Sequence, residues 1–323
     1  MRKDPSGASP DELPRYVVDE SSFDFTGHSD EFVEACLDRF NTCLKAFLAE
    51  DSVAVADFWA EVDCIDGMKL YEFLYAKRRE AIDPDTLRLT GVLLDHCSEL
   101  PEDDPDALEP INIDGIEYEF ASGVSYAYEL ADQGTGVACI TVPVAPRLGP
   151  TTTRRNGTER KLFFIADHSA KSDFWRYLFE VEKVTESAFF SYAKAAFRAL
   201  EFVEGLDFSK FEGRFQENSP RVVEILGALN DNFARSLASH AGQTHRVIAE
   251  LQSLGVVASP ESPNTHKNVK AMAQRKVTHL EMEFVCEWHA KIRPNVNRIH
   301  FSLPDSRIEG RVLIGIFIDH LGT

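Results

Sequence analysis

Apolar side chains recur with a helical period over several stretches of the chain. The first stretch places Val33, Leu37, Phe40, Leu44 and Phe47 on one face, with polar residues opposite, which predicts a helix. Ser29 or Asp30 can cap this helix by accepting a backbone N–H. The same period predicts further helices, at about 53–79, 174–181, 186–200, 221–237 and 244–254. Residues 1–28 are poor in apolar positions and rich in Pro, Ser, Gly and acidic residues, so we expect a flexible tail.

Alternating apolar and polar positions predict strands between the helical stretches. Ile111 and Ile113 lie on one side of an Asp114-Gly115 turn, and Ile116 and Tyr118 lie on the other, which is typical of a hairpin. Three more strands are expected, at 124–130, 136–144 and 162–166. The region 146–161 is expected to be a long basic loop. The predicted fold class is therefore α+β, with helices around an antiparallel sheet.

A Ser-Pro-Glu-Ser-Pro-Asn run at 259–264 predicts a linker, because two prolines three residues apart interrupt helices. It divides the chain into an acidic α+β body over 29–258 and a small C-terminal domain over 264–323. That last segment carries nine Lys/Arg against six Asp/Glu, so it is basic.

The C-terminal segment predicts a small antiparallel meander. In the first strand, Leu280, Phe284 and Trp288 alternate with polar residues, so the two sets point to opposite faces. Ile299 and Phe301 repeat the pattern in a second strand. A third run, 311–319, is apolar on both faces, which indicates a strand in the interior of the sheet.

Composition and charge narrow the class of protein. The 323 residues carry 53 Asp/Glu and 34 Lys/Arg, a net charge of −19, which disfavours nonspecific binding of nucleic acid by the whole surface. No apolar run approaches the roughly 20 residues of a membrane helix, and we expect no membrane contact. Six scattered cysteines suggest no disulfide framework. The expected location is the cytoplasm.

Ionisable residues on the polar face of the first two C-terminal strands form the candidate site. A pairing across the connection 290–297 sets His289 opposite Arg298 and Glu287 opposite His300. In that arrangement the two histidines would transfer protons, Arg298 and Lys291 would hold a phosphate, and Glu287 would orient an imidazole. Arg293 and His320 would lie at the edge of the site as binding residues.

Three chemistries fit these residue types. The first is metal-free cleavage of a phosphodiester in RNA, which needs no cofactor. The second is a transition-metal site built from His289, His300, His320 and a carboxylate, since these ligands suit zinc or iron. The third is structural, with the carboxylates satisfying buried histidine and arginine side chains. We take the first as the expected function.

A different class of function is a noncatalytic interaction or scaffold subunit of a multi-protein assembly. The surfaces expected to serve it are the aromatic helices around Phe174 and Phe189 and the basic loop. Within that loop, Arg154 and Arg155 are candidate contacts for an acidic or phosphorylated protein partner.

Two motifs near the carboxyl end carry a resemblance to a known family. The runs Cys286-Glu-Trp-His-Ala-Lys-Ile and Arg298-Ile-His-Phe, followed by the strand from Gly310 to Leu321, resemble the ending of uncharacterised bacterial proteins. They also resemble the last strands of RelE/ParE-like toxins over about 50 of the 323 residues. The resemblance implies a central antiparallel sheet whose basic strand face supports mRNA cleavage on the ribosome or inhibition of gyrase. Residue by residue, it covers Lys291, Arg293, Arg298, His300 and His320.

The resemblance further implies a setting for the protein. It points to a bacterial toxin–antitoxin or phage-defence system, in which the acidic body acts as a built-in inhibitor or a partner module.

Overall fold

The computed structural model describes residues 14–65, 67–75, 81–100, 109–294 and 296–322. The chain divides into two compact units, Met1–Lys183 and Val184–Thr323, each with its own sheet. Within the described ranges, no helix combines the length and the apolar character needed to span a lipid bilayer.

The first unit is built on an eight-stranded mixed sheet. Its strands, in chain order, are β1 (Tyr16–Val18), β2 (Val53–Val55), β5 (Ser98–Glu99), β6 (Ile111–Ile113), β7 (Ile116–Tyr118), β8 (Ala138–Ile140), β9 (Gly149–Arg155) and β10 (Thr158–Ile165). The spatial order is β5-β2-β1-β8-β10-β9-β6-β7. The first five run parallel and the last three add antiparallel pairs. A separate small hairpin is formed by β3 (Asp63–Ile65) and β4 (Met68–Lys69).

Among the described residues of this unit, the helices are α1 (Asp30–Glu50), α2 (Leu70–Tyr75), α3 (Pro84–Asp95), α4 (Ser122–Asp132) and α5 (Lys171–Val181). The prediction of α1 is confirmed, and the Ser29 side chain caps it by accepting from the Phe32 N–H. Helix α1 crosses from β1 to the adjacent parallel strand β2. A crossover of this kind forces parallel pairing, so the expectation of one antiparallel sheet is wrong for this unit.

Four local predictions in the first unit need correction. The expected tail contains the buried strand β1, whose three apolar residues are too few to show a pattern; residues 1–13 lie outside the described part. The expected helix over 53–79 is divided into β2, β3, β4 and α2. The expected strand 124–130 is part of α4, because Val124, Ala127 and Tyr128 also have helical spacing and are buried on one face. The expected basic loop is the β9–β10 hairpin around the Asn156-Gly157 turn.

The second unit combines helices with a five-stranded sheet. Its helices are α6 (Glu186–Ala196), α7 (Phe215–Ala228), α8 (Ala234–Ser239), α9 (Thr244–Ser253), α10 (Pro263–Lys267) and α11 (Val269–Ala273). Its strands are β11 (Leu200–Phe202), β12 (Ala258–Pro260), β13 (Lys276–His279), β14 (Met282–Val285), β15 (Trp288–Arg293), β16 (Val296–Asp305) and β17 (Arg311–Ile318). The sheet order is β11-β17-β16-β15-β12, and β13 pairs with β14 alone.

The C-terminal antiparallel sheet is confirmed, as is the interior position of β17, which lies between β11 and β16. One face of the sheet packs on a π-helical turn, Leu229–Phe233, that follows α7. The Phe233 ring contacts both Trp288 and Phe301, with centroid separations of 5.1 and 5.0 Å. This face is the apolar core of the unit, and it leaves the opposite face of β15 and β16 for polar side chains.

The boundary between the units lies at 183–184 instead of at the expected linker. Ser259 and Pro260 belong to the edge strand β12, which pairs with β15. Ser262 caps α10, and Pro263 occupies its first turn. Proline is tolerated both in edge strands and at helix starts, so the same composition arises without a linker.

The boundary also changes how the charge is divided. Val184–Thr323 carries 16 Lys/Arg and 16 Asp/Glu, so the net charge of −19 lies entirely in the first unit. The second unit is neutral as a whole.

Candidate functional site

The register of the β15–β16 hairpin brings the two candidate histidines together. His289 lies directly opposite His300, and Lys291 lies directly opposite Arg298. The expected pairing of His289 with Arg298 is therefore wrong. The cause is the turn: only two residues separate Arg293 from Val296, which pair with each other, whereas the expectation assumed a connection over 290–297.

Glu261 completes a buried cluster with the two histidines, which we call the histidine–glutamate cluster (Glu261, His289 and His300). The rings of His289 and His300 are 5.3 Å apart between centroids. Glu261 Oε1 lies 3.5 Å from His289 Nδ1 and 3.7 Å from His300 Nδ1. The side chains are 5% exposed for Glu261, 10% for His289 and 0% for His300. His289 is thus the histidine that reaches the surface.

Glu261 reaches the cluster because its backbone continues the β12–β15 ladder. Its N–H donates to the Glu287 carbonyl at 2.8 Å, immediately beyond the end of β12. This contact directs the side chain toward the strand pair β15–β16. Position 261 lies in the segment predicted to be a linker, and the pattern of the sequence did not predict Glu261 as a site residue.

Arg275 is the counter-ion of Glu261. Its side chain is 0% exposed, and its Nε donates to Glu261 Oε1 at 3.0 Å. Its Nη1 donates to two backbone carbonyls, of Ala271 at 2.8 Å and of Gly322 at 2.7 Å. A buried guanidinium held in this way keeps the carboxylate ionised and fixed in place.

Electrostatics separate the protonation states of the cluster. Burial by itself would raise the pKa of Glu261, but the nearby His289 imidazole and the hydrogen bond and positive charge of Arg275 lower it to about 2. Burial is the main cause that lowers the pKa of His300 to about 3, assisted by the neighbouring His289 side chain. At neutral pH, Glu261 is a carboxylate and His300 is a neutral imidazole.

Lys291 and Arg298 form the next cross-strand pair on the same sheet face as the two histidines. Cβ atoms of directly opposed residues are about 4.5–5.5 Å apart, so two cations are held side by side. Across the described residues, neither side chain has an ion pair, and Arg298 Nε is buried without a hydrogen bond. Two adjacent unpaired cations favour an anionic ligand.

Arg293 continues the alternation of His289 and Lys291 to the end of β15, whereas the other predicted site residues Glu287, Arg154 and Arg155 are already paired. Glu287 precedes β15, and its carboxylate lies 4.0 Å from His266 Nε2, so the expected orienting role falls to Glu261. Arg293 and His320 are exposed. In the first unit, Arg154 pairs with Glu159 at 2.9 Å and Arg155 with Glu129 at 3.1 Å.

The histidine–glutamate cluster has the ligand types of a transition-metal site. One ligand atom from each residue lies within 4.8 Å of the others. His320, which the sequence added to this site, is not one of the three. The Arg275 guanidinium, a permanent cation 3.0 Å from Oε1, opposes a second cation at the same oxygen. The arrangement is better described as a carboxylate that accepts a hydrogen bond from Arg275 and lies 3.5 and 3.7 Å from the Nδ1 atoms of His289 and His300.

A second polar cluster lies in the first unit, at the carboxyl ends of β1 and β8. The chain passes from β1 to β2 on one side of β1, while β8 is the neighbour on the other side. Open α/β sheets commonly bind ligands at the carboxyl ends of two such neighbouring strands. Asp19 pairs with the buried Arg147 at 2.7 Å, and Glu20 accepts from the Gly123 N–H at 3.0 Å. Burial raises the pKa of Glu20 to about 8. The sequence signal that was missed is an acidic pair directly after the apolar run Tyr16–Val18.

Comparison with known proteins adds no relatives. No family model matches the chain, and neither a curated protein nor a solved structure matches it. The resemblance to RelE/ParE-like toxins stays a prediction, and the function must be argued from the site.

Proposed function

We propose that the chain is a cytoplasmic, toxin-like or defence-associated bacterial protein whose second unit cleaves RNA without a metal ion. The observation that carries the proposal is the cross-strand pair of cations, Lys291 and Arg298. It lies next to His289 on the same sheet face. RNA supplies the negative charge that these cations lack among the described residues. In this proposal, the acidic first unit is the inhibitory or partner module.

The cations serve as phosphate contacts. Lys291 and Arg298 repel each other, and an anion bound between them offsets this repulsion. A phosphodiester group is such an anion, and its oxygens accept hydrogen bonds from both side chains. The same contacts stabilise the additional negative charge that develops on the phosphorus oxygens during cleavage. Arg293, exposed at the end of β15, extends the basic face along the RNA backbone.

His289 is the group that moves the proton. Its imidazole accepts the proton of the ribose 2′-hydroxyl while the 2′-oxygen attacks phosphorus. The bond from phosphorus to the 5′-oxygen breaks, and water protonates the departing oxygen. The product is a 2′,3′-cyclic phosphate and a free 5′-hydroxyl.

His300 has a different role from the one expected from the sequence. A fully buried imidazole that is neutral at pH 7 does not reach the leaving group and does not donate a proton to it. It fills the space beside His289 and keeps water away from the buried side of the cluster.

The test is an RNA-binding and cleavage assay on the full chain, with EDTA present. We expect Lys291→Ala and Arg298→Ala each to weaken RNA binding, and His289→Gln to abolish cleavage with little change in binding. The matched control is Lys276→Ala, because Lys276 is a surface lysine of the same unit that pairs with Glu283. Absence of RNA binding by the wild-type chain would contradict the proposal.

The alternative function, an interaction subunit, loses the surfaces expected to serve it. Phe174 and Phe189 are fully buried, so the aromatic helices pack inside their own units. Arg154 and Arg155 are paired with acidic residues of the same unit. No specific observation favours this function over RNA cleavage.

A further inference from the structure

We propose that Glu261 and Arg275 are positioning residues that fix the tautomer of His289, with the proton on Nδ1 and the lone pair on Nε2. The inference concerns the geometry of the histidine–glutamate cluster. Only its consequence for the rate of RNA cleavage rests on the proposed function.

The His289 ring is oriented with one nitrogen toward Glu261. Of its two nitrogens, Nδ1 is buried without a hydrogen bond and faces Glu261 Oε1 at 3.5 Å. Nε2 therefore belongs to the side of the ring that keeps the remaining exposure. Contacts of this kind are often long in the absence of substrate and shorten when it binds.

Glu261 acts only as a hydrogen-bond acceptor toward His289. An ionised carboxylate accepts hydrogen bonds and donates none, so the nitrogen that faces it must carry the hydrogen. Neutral imidazole has one N–H, and placing it on Nδ1 leaves Nε2 as the proton acceptor. Nε2 is then the general base of the site.

Arg275 holds the Glu261 carboxylate in position. Among the described residues, Glu261 is the sole acidic partner of this fully buried guanidinium. Its Nη1 bonds to the Ala271 and Gly322 carbonyls fix the guanidinium from two directions, from α11 and from the residues after β17. The Gly322 N–H in turn donates to Gln274 Oε1 at 3.1 Å. Segments distant in sequence thus converge to hold one carboxylate oxygen in place.

The direct test is NMR of the full chain with ¹⁵N-labelled histidine at neutral pH. In the wild-type protein we expect His289 to show a protonated Nδ1 and an unprotonated Nε2. Glu261→Gln should produce a mixture of tautomers, and Arg275→Lys a partial loss of the Nδ1–H form. Glu283→Gln, at an exposed carboxylate on β14, should leave the His289 signals unchanged.

The wild-type spectrum alone can overturn the inference, whether or not the variants fold. An Nε2–H tautomer, or two tautomers in comparable amounts, would contradict it. So would stoichiometric zinc on the purified chain with His289 signals that shift when EDTA removes it, because Nδ1 would then be a metal ligand.

Kinetics separate this inference from the proposed function. If RNA is cleaved, Arg275→Lys should lower kcat at least tenfold with little change in KM, since carboxylates that orient a catalytic imidazole contribute up to about 10⁴-fold in rate. An Nδ1–H tautomer in a chain that cleaves no RNA would retain the positioning and reject the function. RNA cleavage with an unchanged kcat in Arg275→Lys would retain the proposed function and reject the positioning role.

Discussion

Buried ionisable residues determine the chemistry of this protein at the residue scale. Alternation along β15 and β16 was enough to predict that His289 and His300 share a face, because strand periodicity is a local property. Glu261 and Arg275 were not predicted, because their contacts depend on where β12 and α11 meet the sheet. Distant ion pairs of this type carry no periodic signal in a sequence.

His300 should make the stability of the second unit sensitive to acid. The ordinary histidine pKa of 6.5 applies to the unfolded chain, while the folded value is about 3. Between these values the unfolded state binds a proton that the native state does not, so the free energy of unfolding falls as pH drops below 6.5. The loss is complete below about pH 3 and is on the order of a few kcal/mol.

Urea unfolding between pH 7 and pH 4 tests this expectation. His300→Gln should flatten the pH dependence, whatever its effect at pH 7, and His245→Gln, at an exposed position on α9, should not. Equal slopes for wild type and His300→Gln would contradict a lowered pKa of His300, because they would mean that its imidazole binds protons equally in the folded and unfolded states.

Glu20 should have the opposite effect in the first unit. Its folded pKa of about 8 lies above the ordinary value of 4.5, because burial disfavours the carboxylate. The native state therefore keeps a proton that the unfolded state releases, and stability falls as pH rises from 4.5 to 8. Glu20→Gln should remove this fall, measured by thermal unfolding of the full chain at pH 5 and pH 8. A wild-type first unit that is equally stable at both pH values would contradict it.

At the element scale, close packing around a single glycine tests the C-terminal sheet. A Cβ on Gly315 of β17 would lie 2.3 Å from Cys286 Sγ and 3.2 Å from a Val277 methyl group. Gly315→Ala should therefore destabilise the second unit by about 1–3 kcal/mol through overpacking.

Gly227, inside α7, provides the matched comparison. Its added Cβ would meet only Phe197, at an ordinary 3.7 Å. Gly227→Ala should stabilise the chain by about 0.5–1 kcal/mol through helix propensity. Denaturant midpoints that move in the same direction for both variants would contradict this close packing around Gly315.

Helices with a sustained period, α1 and α9, and the hairpin around Asp114-Gly115 were predictable from the sequence. Very short strands were not: β1 and β2 have three residues each and acquire their role from neighbours in the sheet. The β15–β16 register was also beyond local pattern, because alternation fixes the face of a strand but not its partner residue. The pairing of Arg293 with Val296, only three positions apart in the sequence, fixes that partner.

At the scale of the whole molecule, the separation of charge governs how RNA would approach. The first unit carries the entire net charge of −19 and the second unit none, so the attraction for RNA must come from local cations. The logarithm of RNA affinity should fall with the logarithm of salt concentration, with a slope that reflects the number of phosphate contacts.

Replacing one phosphate contact should change that slope in a defined way. We expect Lys291→Ala to reduce it by about 1 and to weaken binding similarly for different RNA sequences. Lys276→Ala should leave the slope unchanged, measured by fluorescence anisotropy over a salt series. An unchanged slope for Lys291→Ala would remove Lys291 from the phosphate contacts.

The most direct test of RNA cleavage by the second unit is identification of the ends produced from a defined RNA by the full chain in EDTA. We expect 2′,3′-cyclic phosphate ends with the wild type and none with His289→Gln. Intact RNA after prolonged incubation with the wild type, or the same cyclic phosphate ends with His289→Gln, would contradict it.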